Sequence, residues 1–125
     1  MIHSRTAREG LFTFGIAAAD IPDGLSFVSI DLSFISVSKV LRPLAESFIA
    51  KNQPLIKPVC LDVVVLVKPQ FEVGKGEVGK GGIVRDSAKR AAALEKVKQS
   101  ASEAGFRVVG DMPSPVAGSK GNREF

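Results

Sequence analysis

The sequence predicts an α/β fold in which helices flank a mostly parallel sheet. Apolar runs that end in a charge or a proline alternate with helical patterns, in the order strand, helix, strand, helix, strand. Such alternation favours right-handed crossovers between parallel strands. The strands are expected at residues 25–30, 61–67 and 106–110, and the helices at 39–50 and 87–104.

The second predicted strand is the most informative stretch of the chain. Six of the seven residues from Leu61 to Val67 are apolar, which is typical of a strand buried on both faces. Because proline has no N–H for a sheet ladder, Pro69 ends the run. Lys68 is left at the carboxyl tip of a parallel strand, where open α/β sheets bind ligands. Stability rarely needs a cation there, so Lys68 is a candidate functional residue.

Asp31 ends the first apolar run in the same way. The carboxyl tips of parallel strands share one edge of a sheet, so Asp31 and Lys68 are expected to face each other across a crevice. On spacing alone, Asp31 could equally cap a turn. Three strands make a thin sheet with open edges, so the chain is expected either to pair with a partner or to belong to a larger fold.

The two predicted helices have recognisable ends. Ser36 or Ser38 could cap the first, and Asp86 or Ser87 the second, with Gly105 after its last residue. The apolar face of the first helix consists of Val40, Leu41, Leu44, Phe48 and Ile49. The basic residues of the second helix, such as Arg90, Lys96 and Lys98, are expected to form a solvated face.

A glycine-rich segment occupies residues 74–82 and is expected to be a mobile loop. It contains a G-x-G-x-x-G pattern, but a dinucleotide fingerprint needs a strand directly before it and a helix directly after it, and neither is expected here. It also resembles a phosphate loop, except that Gly81 replaces the hydroxyl residue that holds magnesium. Two interpretations remain: a flexible surface loop, and a lid whose Lys75 and Lys80 contact a polyanion. The lid is slightly favoured.

Composition indicates one soluble globular domain of 125 residues, 45% hydrophobic and 24% charged. The net charge of +4 is compatible with a phosphate-bearing partner. No apolar run approaches a membrane span, and the amino terminus lacks a secretory signal, so a cytoplasmic protein without stable membrane insertion is expected. Cys60 is expected in the core. Glu72 could bind a ligand or be solvated, and the solvated position is favoured. With one cysteine and one histidine (His3), no metal site is expected.

Five segments together carry a resemblance to a known family: Asp31–Ser36, Leu66–Gly76, Gly82–Asp86, Ser114–Pro115 and Gly121–Phe125. They resemble the hemolysin A (TlyA) family, which is related to FtsJ-like RNA ribose methyltransferases. The resemblance covers residues 25–125. Nearer the amino terminus only Arg5, Thr6 and Arg8 are similar.

The resemblance implies a Rossmann-like fold that uses S-adenosylmethionine to methylate ribose 2′-hydroxyls of ribosomal RNA. In the Lys-Asp-Lys-Glu tetrad of FtsJ-like enzymes, Asp31, Lys68 and Glu124 match the last three positions, and the first lysine has no counterpart. Asp31, Ser33 and Phe34 are the implied cofactor-binding residues. The final strand of the family is antiparallel, so Glu124 is expected at the same edge as Asp31 and Lys68.

The resemblance also implies a partial methyltransferase domain. It matches roughly the carboxyl half, without the S4-type RNA-binding domain and the glycine-rich cofactor motif, so the chain alone is expected to be inactive. The implied partners are ribosomal RNA, contacted through Lys75 and Lys80, or ribosomal subunits. Separately, the open sheet edges could allow homo-oligomers. Two alternatives stay open: a non-catalytic RNA-binding or ribosome-assembly remnant, and a membrane-active hemolysin.

Overall fold

The structure, a computed structural model, describes residues 16–54 and 59–125. It confirms an α/β fold with a small parallel sheet flanked by helices. His3, Arg5, Thr6 and Arg8 lie outside the described residues. The strands are β1 (Phe27–Ile30) and β2 (Asp62–Val65), and the helices are α1 (Ser38–Lys51), α2 (Pro69–Glu72) and α3 (Ser87–Glu103). Short 3-10 turns lie at Ala18–Asp20, Lys75–Glu77, Lys80–Gly82 and Ser119–Gly121.

β1 and β2 run parallel, with Val28 beside Val63 and Ile30 beside Val65. Alternate residues of a strand face the same side, so these four side chains form one inner face. α1 and α3 supply the other side of the core, where Leu41, Leu44 and Val97 are among the buried residues. α1 starts after the carboxyl end of β1, and its last residue, Lys51, pairs with Asp23 just before β1, so α1 runs back along the inner face.

The prediction that the second strand is buried on both faces was wrong. Val64 is 58% exposed, and Phe27 of the neighbouring strand is 54% exposed. Both residues point away from the inner face, and within the described ranges no helix covers that outer face. The valines of β2 therefore alternate between partly buried and exposed positions.

The predicted third strand at residues 106–110 was also wrong. A strand needs a hydrogen-bonded neighbour, and this segment forms no ladder with any part of the chain that the structure describes. Its first amide, that of Phe106, instead bonds to the carbonyl of Ala101 at 3.0 Å. Just beyond it, Asp111 pairs with Lys98 of α3 at 2.8 Å. The hydrogen bond to Asp111, and then the one to Glu95, raises the pKa of Lys98.

The apolar face of α1 was correctly predicted except at one residue. Val40, Leu41, Leu44 and Phe48 are buried, whereas Ile49 is 53% exposed. Consecutive residues of an α-helix are separated by about 100° of rotation, so Ile49 lies past the edge of the stripe that ends at Phe48.

The ends of α3 agree with the prediction. The carboxylate of Asp86 caps the helix by accepting the amide of Ala88 at 2.8 Å. Gly105 follows the helix with a left-handed φ of 102°, which glycine adopts without a side-chain clash. Cys60 is exposed, so its predicted core position was wrong. Among the helices of the described residues, none is long and apolar enough to span a bilayer.

Candidate functional site

Asp31 and Lys68 meet at the carboxyl edge of the sheet, as the parallel topology predicted. The Nζ atom of Lys68 lies 2.7 Å from Oδ1 of Asp31 and donates to Oγ of Ser33 at 3.2 Å. The lysine side chain is 15% exposed and the aspartate side chain 52% exposed. An ammonium group has three N–H donors, so a third can reach a ligand that enters from solvent.

The backbone holds Lys68 firmly at this edge. The amide of Leu66 extends the sheet by bonding to the carbonyl of Ile30 at 2.9 Å. On the other side of Lys68, Pro69 is the first residue of α2. Proline suits this position because the amide that it lacks would have no partner within the helix. The proline that ends the strand therefore also starts the helix, which the sequence analysis did not predict.

Glu124 reaches the same edge through an antiparallel contact. Phe125 and Val67 exchange both backbone hydrogen bonds, at 3.0 and 2.7 Å, which is the pattern of a hydrogen-bonded antiparallel pair. This register sets Glu124 opposite Lys68. The Glu124 side chain is buried, and its Oε2 accepts a hydrogen bond from Nε2 of Gln70 at 2.9 Å.

Gly118 makes room for the Glu124 carboxylate. A Cβ atom at this position would overlap the carboxylate group. The 118–122 turn therefore packs directly against the glutamate, and any larger residue at position 118 would displace one or the other.

Phe34 adopts a strained backbone next to the Asp31–Lys68 pair. Its φ is 69°, in the left-handed region that costs a bulky residue about 1–2 kcal/mol. Its side chain is 87% exposed, and its ring lies 5.0 Å from that of Phe71, centroid to centroid. A solvent-facing aromatic ring held in this way is suited to contact a planar ligand group.

Glu72 is buried, so its favoured position in solvent was wrong. Its carboxylate accepts hydrogen bonds from Oγ of Ser36 at 2.6 Å and from the amide of Val37 at 3.0 Å. Val37 immediately precedes α1, so Glu72 supplies the cap that helix lacks from its own N-cap residue. Its partners lie 36 and 35 positions earlier in the chain, and no local pattern reveals so distant a contact.

The sequence pattern of FtsJ-like methyltransferases matches residues 8–125, almost the whole chain. The chain belongs to the FtsJ-like methyltransferase family. It is 41% identical, over 111 residues, to the 16S/23S rRNA (cytidine-2′-O)-methyltransferase TlyA of Mycobacterium tuberculosis, covering 89% of this chain and 38% of TlyA. It is 35% identical over 103 residues to hemolysin A of Brachyspira hyodysenteriae, covering 80% of this chain and 38% of the relative.

A solved structure confirms the fold of this FtsJ-like methyltransferase chain. The structure, named as that of a hemolysin from Streptococcus thermophilus, has a TM-score of 0.73 and 39% sequence identity. The match covers 90% of this chain and 38% of that one. The chain thus spans less than half the length of these relatives.

The glycine-rich segment of this FtsJ-like methyltransferase lacks the context of a dinucleotide-binding turn. α2 lies between β2 and Gly74, and the segment folds into 3-10 turns rather than opening an α-helix. The side chain of Lys75 lies outside what the structure describes, and Lys80 is exposed. RNA contact by these two lysines stays a prediction.

The carboxyl edge of the sheet presents three side-chain groups of different chemistry. In the described ranges, no group of three or more acidic, histidine or cysteine side chains could hold a metal ion. The edge offers instead the carboxylate of Asp31, the hydroxyl of Ser33 and the exposed ring of Phe34. A ligand with both cationic and planar parts matches this set of groups.

Proposed function

We propose that this chain forms part of an S-adenosylmethionine-dependent methyltransferase that modifies ribose 2′-hydroxyls of ribosomal RNA. The observation that carries the proposal is the 2.7 Å pair of Lys68 and Asp31 at the carboxyl edge of the sheet. A cation held there by a carboxylate can engage a hydroxyl oxygen. The relative TlyA is named as a 16S/23S rRNA (cytidine-2′-O)-methyltransferase, which supports the same reaction.

In this proposal the Lys68 ammonium donates to the ribose hydroxyl oxygen and so positions it. The hydroxyl proton passes to a carboxylate at this edge or to solvent as the O–C bond to the methyl group forms and the S–C bond of the donor breaks. S-adenosylmethionine supplies an electrophilic methyl group whose leaving group is a neutral thioether, so the chain needs no general acid. It must instead align the hydroxyl with the methyl group and remove the hydroxyl proton. Asp31 fixes the direction of the Lys68 ammonium, while Glu124 places a second carboxylate opposite Lys68 in the register.

The groups beside Lys68 fit the methyl donor. The carboxylate of Asp31 complements a cationic sulfonium or ammonium group, and Ser33 offers a hydroxyl. The ring of Phe34, which is 87% exposed, can stack on a planar base. We assign these three residues to one side of the cofactor site.

We further propose that this chain holds part of a larger site within a cytoplasmic, RNA-directed enzyme. The proposal is supported by the chain spanning only 38% of TlyA, and by the resemblance, which gives the first tetrad lysine and the glycine-rich cofactor motif no counterpart in these residues. We therefore expect the 125 residues alone to give little or no methyl transfer.

A chimeric enzyme tests the proposal. The matched 111-residue part of Mycobacterium tuberculosis TlyA would be replaced by the matched part of this chain. Incubation with ribosomal RNA and labelled S-adenosylmethionine should give 2′-O-methylated nucleosides, identified by nuclease digestion and mass spectrometry. The same chimera with Lys68→Met provides the matched negative control.

Two results would contradict the proposal. A folded chimera that binds RNA but transfers no methyl group would indicate a non-catalytic RNA-binding role. Robust turnover by the 125 residues alone would show that the proposed division of the site is wrong.

Replacing Phe34 by glycine should separate stability from ligand binding. Glycine adopts the left-handed backbone freely, so the free energy of unfolding should stay constant or rise by up to about 1 kcal/mol. The lost ring should weaken S-adenosylmethionine binding to the chimera by about tenfold, since a stacked base contributes about 1–3 kcal/mol. Urea unfolding and calorimetry measure the two effects, and unchanged affinity would remove Phe34 from the cofactor site.

A further inference from the structure

We propose that four basic residues around the 79–85 segment form a binding site for the phosphate backbone of RNA. This basic cradle consists of Lys80, Arg85, Arg90 and Lys120. The inference rests on the proposed function for its ligand, but its test below needs neither the methyl donor nor turnover.

The cationic groups of the cradle come from separate parts of the chain. Nη1 of Arg85 donates to the carbonyl of Lys80 at 3.0 Å. Nη1 of Arg90, from α3, donates to the carbonyls of Val84 and Arg85 at 3.3 and 3.2 Å. The Nζ atom of Lys120, from the 119–121 turn, lies 3.5 Å from where a Cβ of Gly82 would be.

The positive charges of the cradle are not cancelled by these contacts. The recorded partners of Arg85 and Arg90 are backbone carbonyls rather than carboxylates. Among the described residues, neither Asp86 nor Glu77 forms an ion pair with the cradle: Asp86 accepts the amide of Ala88, and Glu77 pairs with Lys89 at 3.1 Å. Guanidinium groups retain N–H donors that match phosphate oxygens, so an anionic ligand would find them available.

The backbone that supports the cradle is well defined. Gly79 and Ile83 form an antiparallel bridge, and Gly81 and Gly82 have left-handed φ values of 78° and 76°. A Cβ at Gly79 would lie 2.7 Å from the carbonyl oxygen of Ile83 and 3.2 Å from Nη1 of Arg85. Only glycine allows this close approach, so the loop presents its cations from a fixed turn.

Asn122 ties the cradle to the candidate active site. Its side chain is 1% exposed, accepts the amide of Val84 and donates to the carbonyl of Gly82, each at 3.0 Å. Asn122 stands two residues before Glu124, which lies opposite Lys68. The cradle therefore flanks the edge where the ribose would react, and a phosphate near the target nucleotide is the ligand that this position fits.

Salt-dependent RNA binding tests the cradle. The 125-residue chain would be titrated against fluorescently labelled ribosomal RNA fragments at several salt concentrations, without S-adenosylmethionine. The logarithm of the association constant falls as the logarithm of the salt concentration rises. Each lost phosphate contact should make this fall shallower by about 0.7 and weaken binding about fivefold at 0.1 M salt. Arg85→Gln and Lys120→Gln should each show this loss, and Lys120→Arg should restore it.

Arg107→Gln is the matched control. Arg107 is exposed and follows the end of α3 that lies away from the cradle. Its substitution therefore removes one positive charge, as the cradle substitutions do, without removing a phosphate contact of the cradle. An unchanged slope in both cradle variants, or an equal loss in Arg107→Gln, would overturn the inference. So would a cradle-dependent affinity for phosphatidylglycerol vesicles without RNA binding, which would indicate a membrane surface. If the cradle variants show the expected loss of salt dependence but the chimera transfers no methyl group, the proposed function is overturned and the cradle is not.

Discussion

Replacing Lys68 by methionine should lower methyl transfer by the chimeric enzyme by a factor of about 10²–10⁴, the usual contribution of a positioned acid–base group. Methionine keeps much of the length and the apolar stem of lysine but cannot engage a hydroxyl oxygen through charge. The ion pair with Asp31 and the hydrogen bond to Ser33 are both lost. Single-turnover rates at saturating RNA and methyl donor measure the effect.

Lys51→Met is the control for that experiment. Lys51 ends α1, at the opposite edge of the sheet, where it pairs with Asp23 at 2.8 Å. Its loss should leave the rate within about twofold, because an exposed ion pair contributes little. A Lys68→Met rate close to that of the parent chimera, with both variants folded, would remove Lys68 from the reaction.

Replacing Glu72 by alanine should destabilise the chain by about 3 kcal/mol and lower its melting temperature by about 10 °C. The substitution deletes a buried carboxylate that accepts from Ser36 and Val37. The amide and hydroxyl donors that it leaves behind are partly shielded from water. Hydrogen bonds to charged groups contribute about 1.5–3 kcal/mol each. Part of that contribution is lost at the Ser36 hydroxyl and part at the Val37 amide, which together gives the expected total.

Glu95→Ala provides the comparison for Glu72. Glu95 is an exposed carboxylate of α3 that pairs with Lys98 at 3.4 Å, so its removal should change the free energy of unfolding by no more than about 0.5 kcal/mol. Urea unfolding followed by circular dichroism measures both variants. Equal, small losses would show that the Glu72 contacts do not stabilise the start of α1.

The pairing of Asp31 with Lys68 could be predicted because it follows from topology. Two apolar runs separated by a helical pattern imply parallel strands, and parallel strands bring their carboxyl tips to one edge. The same reasoning from local pattern failed at residues 106–110, since composition reports strand propensity but not whether a neighbour is present to pair with. Local pattern also misled about the burial of β2, because the valine run does not reveal which faces of the sheet the helices cover.

The buried polar residues of the site could not be predicted from spacing. Glu72 and Asn122 each bond to groups more than thirty positions away in sequence. In the sequence each is a polar residue outside the predicted strands and helices, and such residues are usually solvated. The resemblance to a family indicated Glu124, but the contact with Gln70 and the fit against Gly118 emerge only from the packed structure.

The contacts of Glu72 join two regions of the chain. Its carboxylate holds the segment that follows Phe34, while its carbonyl accepts Nζ of Lys96 from α3 at 2.9 Å. A ligand that orders the Asp31–Phe34 segment would therefore reduce the conformational entropy of α2 and of the glycine-rich segment that follows it. A second ligand would then lose less entropy on binding. Slower amide hydrogen exchange in the second region, on filling only the first, would be the signature of this cooperativity.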